Sequence, residues 1–196
     1  MKIAILGWGS LIKEPRDLPI MGEWFPDGPI LWIEFSRISR KGDRKDCLTL
    51  VIDERNGSEV TTLHVVSQRT ELAPAIADLL AREKSSPDEI GFCEVAVRRF
   101  AANALSRHPK SCKRIRTWAE AKGYDAVIWT ALPRRFQDAI GVPFSPQAAL
   151  KYLNSLPETT REKALAYIHN APPQTMTTLR LLLLAQSPAE ASHPET

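Results

Sequence analysis

The chain opens on an apolar run, Ile3-Ala4-Ile5-Leu6, that empties into Gly7-Trp8-Gly9-Ser10. A short run of this kind predicts a strand, and two glycines two positions apart predict a sharp turn at its end. With no Cβ in the way, main-chain N–H groups at such a turn can approach a ligand closely. A strand feeding a glycine turn therefore suits an anion or a developing oxyanion. One ligand held in this way is a dinucleotide, through Gly-x-Gly-x-x-Gly after a strand. Gly7 and Gly9 fit that pattern, but its third position falls on Ile12. Isoleucine is too bulky for the close helix–strand contact that a third glycine permits. An acid does stand about 20 positions on, at Glu34, but inside an apolar run that itself reads as a strand.

Downstream, residues 13–29 are rich in proline, glycine and charge and read as a long irregular loop. Three strand-like runs follow: Ile30 to Ser39, Cys47 to Asp53 and Val60 to Val66. Asn56-Gly57, between the second and third, is a hairpin signal. Links this short predict antiparallel neighbours, not βαβ crossovers, which argues again against a dinucleotide fold. Leu72, Ile76, Leu79 and Leu80 then predict a helix from an N-cap at Thr70 to Lys84, with Pro74 tolerable only in its first turn. Gly91 to Val97 returns to a strand. Lys110 to Lys122 reads as a helix closed by Gly123, and Tyr124 to Ala131 as a buried strand. Ser145-Pro146 starts a helix to Leu156, Glu158 to Asn170 forms another, and Met176 to Ala185 a third. The expected fold is α+β: one domain over 1–185, a small mixed or closed sheet, and a helical C-terminal extension from about residue 110. Residues 186–196 lack an apolar pattern and are expected to form a loose tail.

Composition narrows the function classes. With 196 residues, 43% hydrophobic and 25% charged, the chain can bury one real core. No apolar run approaches the ~20 residues of a membrane helix, and Met1-Lys2 leads straight into the first strand without a signal-like segment. Basic residues gather at Arg37 to Lys45 and Arg107 to Arg116. Nucleic acid would suit such patches. Glu120 and Asp125 follow closely, however, so a solvated helix face is the simpler account. Cys47, Cys93 and Cys112 are odd in number and widely spaced, which points to a reducing, cytoplasmic setting instead of a disulfide scaffold. The four histidines are scattered, and no metal-ligand spacing is legible.

Gly7-Trp8-Gly9-Ser10-Leu11 resembles the Gly-Tyr-Gly-Ser-Leu signature that opens γ-glutamylcyclotransferase-like proteins, including their ChaC-type branch. In that branch a glutamate ends a helix in an Arg-Glu-x run, soon followed by a Gly-Tyr-like strand entry. This chain has Arg82-Glu83-Lys84 and then Gly91-Phe92, with Ser85 to Ile90 longer than the usual gap. The resemblance covers about residues 3 to 97. It implies a small β-barrel with accompanying helices, a small γ-glutamyl amine or peptide as substrate, and no cofactor. It also implies Glu83 as the catalytic acid/base and Gly7, Trp8, Gly9, Ser10 and Leu11 as the substrate-binding turn. Trp8 departs from the family's usual tyrosine; an indole donates a hydrogen bond but cannot accept one.

The implied reaction is intramolecular. The α-amine of a γ-glutamyl group attacks its own side-chain carbonyl, forming 5-oxoproline and releasing the attached amine. The α-ammonium, with a reference pKa of about 8, must first lose a proton. The tetrahedral oxyanion then needs fixed donors, a task for the N–H groups of Gly9, Ser10 and Leu11. The leaving nitrogen finally needs the proton back, so one carboxyl group suffices. Arg82 is discounted as a partner of Glu83, because helical neighbours one apart do not face each other. The bland account of Glu83 is a surface residue at a helix end, and Glu89 and Glu94 are its nearest rivals. Arg37 and Arg40 are either surface residues or bidentate anchors for a substrate carboxylate. The alternative function is a ligand-binding or regulatory module on the same fold, without turnover.

Overall fold

A computed structural model describes residues 1–186. The first strand, β1 (Ile3–Gly7), is buried along its whole length. Such a strand needs cover on both faces. It runs parallel to β9 (Ala126–Thr130) on one edge and antiparallel to β6 (Leu63–Ser67) on the other. With β2 (Ile20–Phe25), β7 (Ile90–Glu94) and β8 (Arg99–Phe100) they make a mixed sheet of order β2-β6-β1-β9-β7-β8. Alternate residues divide the core. Ile3, Ile5, Ala126 and Ile128 pack with Leu72, Ala75 and Leu79 of α2 (Leu72–Glu83). Ala4, Leu6, Val127 and Trp129 join the larger cluster on the opposite face.

That second face is covered by a three-stranded sheet and the C-terminal helices. β3 (Ile30–Ile38) lies between β4 (Leu48–Ile52) and β5 (Ser58–Thr61). Of the helices, α1 (Ser10–Lys13) follows β1 directly, and α3 (Ala102–Arg107) and α4 (Pro109–Lys122) precede β9. After β9 come α5 (Phe136–Ile140), α6 (Pro146–Ser155), α7 (Glu158–His169) and α8 (Thr178–Gln186). The protein is thus α+β, and among the described residues its strands form two sheets without a closed barrel. No helix of the described residues is long and apolar enough to cross a membrane.

Several expectations are corrected. The segment 13–29 carries β2, an edge strand whose register shifts between Met21 and Phe25, with Gly22 at φ +71. Pairing to β6 outweighs its turn-rich composition. The run Val60 to Val66 is two strands, because Thr62 turns its backbone to another partner. Its N–H donates to Pro29 O, its carbonyl accepts from Gly28 N–H, and its hydroxyl donates to Pro29 O at 2.8 Å. β4 and β5 are not hairpin neighbours, since β3 lies between them. Gly57 is needed for close approach where the chain crosses β3: a Cβ there would fall 2.6 Å from Asp53 O and 2.7 Å from Trp32 C. The helix expected from Thr70 starts at Leu72 with Glu71 as N-cap, which leaves Pro74 in its first turn. Neither α3 nor α5 is foreseen, both being too short for a clear apolar period. From residue 110 onward the chain is no purely helical appendage, because β9 sits inside the main sheet. Gln186 is the last residue of α8; the rest of the expected tail, 187–196, lies outside the described residues.

Candidate active site at the glycine turn

β1 delivers the chain to the turn at Gly7, where a Cβ would lie 2.8 Å from the Trp24 ring. The Trp8 side chain is buried in the larger core, and its carbonyl accepts a hydrogen bond from Thr175 Oγ1 at 2.9 Å. Leu11 is anchored in the smaller core against α2. Between these anchors Gly9 and Ser10 stay partly open and line a cleft of about 220 Å³ with Lys13, Glu14, Arg44 and Tyr167. Of the five turn residues expected to bind substrate, Gly9 and Ser10 therefore line the cleft, whereas Gly7, Trp8 and Leu11 hold it in place. A Cβ on Gly9 would stand 3.3 Å from Leu50 Cδ1 and 3.5 Å from the Tyr167 hydroxyl, so glycine keeps the cleft open. The first N–H groups of a helix have no partner within it, which leaves those of Ser10 and Leu11 outside the helical ladder.

The opposite wall comes from distant segments. Arg44, on the β3–β4 connection, donates to Ser10 Oγ at 2.8 Å and to Glu14 Oε2 at 3.4 Å. Its guanidinium lies 4.7 Å from the centre of the Tyr167 ring. Tyr167 projects from α7. Burial pushes its phenol up, Arg44 pulls against that, and Glu83 adds to it. The loop after α7 is held by Arg180, which is buried without a carboxylate partner among the described residues. Its guanidinium instead donates to the carbonyls of His169, Ala171, Pro172 and Thr175 at 2.7–3.0 Å. Glu34, the acid weighed as a ribose ligand, supports the same scaffold. Its buried carboxylate accepts from Phe35 N–H at 2.8 Å and from Leu179 N–H, at the start of α8, at 3.4 Å. Burial raises its pKa, against the pull of those bonds.

Glu83 is the last residue of α2; Lys84 then takes the left-handed conformation, φ +50, that ends the helix. Its carboxylate is 19% exposed and accepts from Arg82 Nη1 at 2.6 Å. The expectation that these neighbours do not pair is corrected. Arg82 is buried and bends toward the glycine turn, where its Nη2 and Nε donate to Glu14 O at 2.6 and 3.1 Å. At a helix terminus a long side chain can reach a neighbour that mid-helix geometry would hold away. Arg82 thus ties the end of α2 to the end of α1. Glu83 does not line the cleft itself, but its charge bears on the Tyr167 hydroxyl that does.

The rival acids have other partners. Glu89 is buried against Arg37 Nη2 at 3.0 Å, while Arg37 Nη1 donates to Pro133 O at 3.0 Å. Arg37 is thereby used in the fold; Arg40 is exposed. Glu94 pairs with Arg99. In the basic stretch, Arg107 meets Asp88 at 3.1 Å, Arg114 meets Glu59 at 2.7 Å and Arg116 meets Glu120 at 2.5 Å. Arg114 also lies over the Trp32 ring. Cys47, Cys93 and Cys112 are free and buried, and burial pushes the Cys93 and Cys112 thiols up to about 12.

Sequence reasoning did not find Arg44, Tyr167, Lys13 or Thr175. Arg44 sits in a basic run that reads as surface, and Tyr167 in a helix with no motif. No family model, no curated protein and no solved structure matches the chain.

Proposed function

We propose that this protein is a γ-glutamylcyclotransferase-like enzyme that releases 5-oxoproline from a γ-glutamyl amine or peptide. The observation that carries the reading is the Arg82 bridge. An acid 73 to 74 positions away in sequence from Gly9 and Ser10 is tied through its neighbour to the end of their turn. In this reading Glu83 takes a proton from the substrate α-ammonium. The freed amine attacks the γ-carbonyl, and the oxyanion forms toward the N–H groups of Gly9, Ser10 and Leu11. The new C–N bond closes the ring, the bond to the leaving nitrogen breaks as Glu83-H returns the proton to it, and the second proton shed by the attacking nitrogen ends on the released amine, which departs as an ammonium. Arg82 steadies Glu83 while it is ionised and keeps its bonds to Glu14 O when it is not. A cleft that holds the bent conformer supplies much of the rate through orientation alone.

The reading extends to the family's small barrel. β5 and β6 run on with only Thr62 between them, so one chain path joins the two sheets as adjoining staves would. It also places the protein in a reducing, cytoplasmic setting, to which its three free buried thiols are suited.

A second reading, a small-ligand-binding module without turnover, is favoured by one contact. The Glu83 carboxylate is taken up by the Arg82 guanidinium at 2.6 Å and does not line the cleft. The test incubates the protein with a panel of γ-glutamyl compounds, glutathione included, and measures 5-oxoproline. Turnover that disappears in Glu83→Gln supports the enzyme. Tight binding with no product from either protein supports the module.

A further inference from the structure

Arg44 stands at the cleft with more donors than partners. A guanidinium carries five N–H groups in a planar fork. Two of Arg44's are used, on Ser10 Oγ and Glu14 Oε2, and its side chain remains 35% exposed. The Tyr167 ring lies under its guanidinium, 4.7 Å away, and with the bonds to Ser10 and Glu14 helps to hold the fork at the cleft. Lys13 brings a second positive charge to the same cleft and Glu14 one negative charge, which leaves the lining one positive charge in excess. A single excess charge suits a monoanion. The volume of about 220 Å³ lies below the ~300–1,000 Å³ of sites for drug-sized ligands and suits a molecule of amino-acid size.

The Tyr167 hydroxyl faces the cleft beside Gly9, 3.5 Å from where a Cβ would stand. The turn itself lacks a phenol, because position 8 is tryptophan and its ring is buried. A tyrosine on α7 thus brings to the turn a hydroxyl whose oxygen is held by the Leu50 backbone and whose O–H is left to donate.

We propose that the cleft is a carboxylate subsite, in which Arg44 grips the α-carboxylate of an amino-acid ligand and Tyr167 hydrogen-bonds the far end of the same molecule. The choice of a γ-glutamyl group as that ligand rests on the function proposed above; the carboxylate preference rests on the cleft alone. A guanidinium meets a carboxylate through two parallel N–H···O bonds, which an ammonium cannot reproduce. Arg44 and Tyr167 come from a loop and a helix outside the glycine motif, so specificity is set by parts of the chain that carry no signature.

The test is equilibrium binding of L-5-oxoproline and of its carboxamide, which has the same ring without the charge. The wild-type protein is expected to prefer the acid by about tenfold or more. Arg44→Gln is expected to weaken the acid by a similar factor and erase the preference. Arg44→Lys, which restores charge without the fork, recovers only part of it. Tyr167→Phe weakens both ligands by about fivefold and leaves the preference intact. Equal binding of acid and amide by the wild type, or no binding of either, overturns the proposal. Wild-type affinity in an Arg44→Gln protein with an unchanged melting temperature also overturns it. Glu83→Gln separates the two claims, since it is expected to bind the acid normally. Oxoproline held through Arg44 with no turnover of any γ-glutamyl compound sinks the reaction and keeps the subsite. Turnover whose KM ignores Arg44→Gln sinks the subsite and keeps the reaction.

Discussion

The cleft at Gly9 and a second pocket at Asp53 are close in size, about 220 and 270 Å³, and both are lined by charged groups. They differ in what those groups are already doing. The Asp53 carboxylate is fully buried and accepts from Arg55 N–H, Asn56 N–H, Asn56 Nδ2 and Arg134 Nη1, all at 3.0–3.1 Å. Burial opposes its ionisation, but the bonds from Asn56, Arg55 and Arg134, with the Ser36 hydroxyl nearby, more than offset that and hold its pKa below the ordinary range. It fastens the 53–57 turn where Gly57 crosses β3, and offers nothing further to a ligand. Arg44 also pins a turn, yet it keeps donors turned to solvent. Volume alone would rank the two pockets together, and Arg134 is as exposed as Arg44; what tells them apart is that only the first is lined by the glycine turn, at Gly9 and Ser10.

The sharpest way to break this comparison is through chemistry. Glu83→Gln is expected to lower 5-oxoproline release by about 10²–10⁴-fold while the melting temperature stays nearly unchanged. Comparable loss from a substitution in the Asp53 pocket, at full stability, would reverse the assignment of the two sites. Asp53→Ala should instead remove about 3 kcal/mol of stability, read from denaturant midpoints, with turnover per folded molecule retained.

A pH series sharpens the contrast next. His108 lies on the Asp53 side of the molecule, 2% exposed, and its Nε2 has no hydrogen-bond partner among the described residues. Burial holds its pKa down to about 4, against an ordinary 6.5, with Glu54 opposing and Arg134 and Arg107 assisting. Above pH 6.5 the ring is neutral in both the folded and unfolded chain. Between 6.5 and 4 only the unfolded chain takes up the proton, so about 3 kcal/mol of stability is lost as pH falls through that window. Glu34 acts in the opposite sense: its raised pKa makes the fold gain stability as pH falls toward the ordinary glutamate value. Urea midpoints from pH 7 to 4 should therefore drop for the wild type and drop less for His108→Gln. A flat wild-type profile would contradict the buried neutral ring.

The smallest effect tests the support beneath the cleft. Thr175→Val keeps the side-chain shape and removes the bond to the Trp8 carbonyl, at a cost of about 1–2 kcal/mol. The same variant should raise the Kd for L-5-oxoproline slightly. An unchanged Kd and an unchanged midpoint would show that the turn stands without that tie.

Much of this was legible locally. The two apolar runs at Ile3–Gly7 and Ala126–Thr130 announce buried strands because both of their faces are covered. Ser145-Pro146 announces α6, and the Ser145 hydroxyl accepts from Ala148 N–H as a cap should. Gly123 announces the end of α4 and takes φ +65. β2 was hidden because an edge strand depends on its neighbour more than on its own composition. The role of Gly57 was hidden because a close approach to another strand is not written in the turn itself.

By itself, then, the sequence determined the glycine turn, the acid that ends α2, the principal helices and most of the strands, since capping, periodicity and steric freedom act within a few residues of one another. The tertiary structure decided that Arg82 ties those two ends together, that Arg37 is occupied by Glu89, and that Arg44 and Tyr167 wall the cleft. Those outcomes depend on which side chain reaches a donor or acceptor first once distant segments pack, and no local pattern encodes that competition.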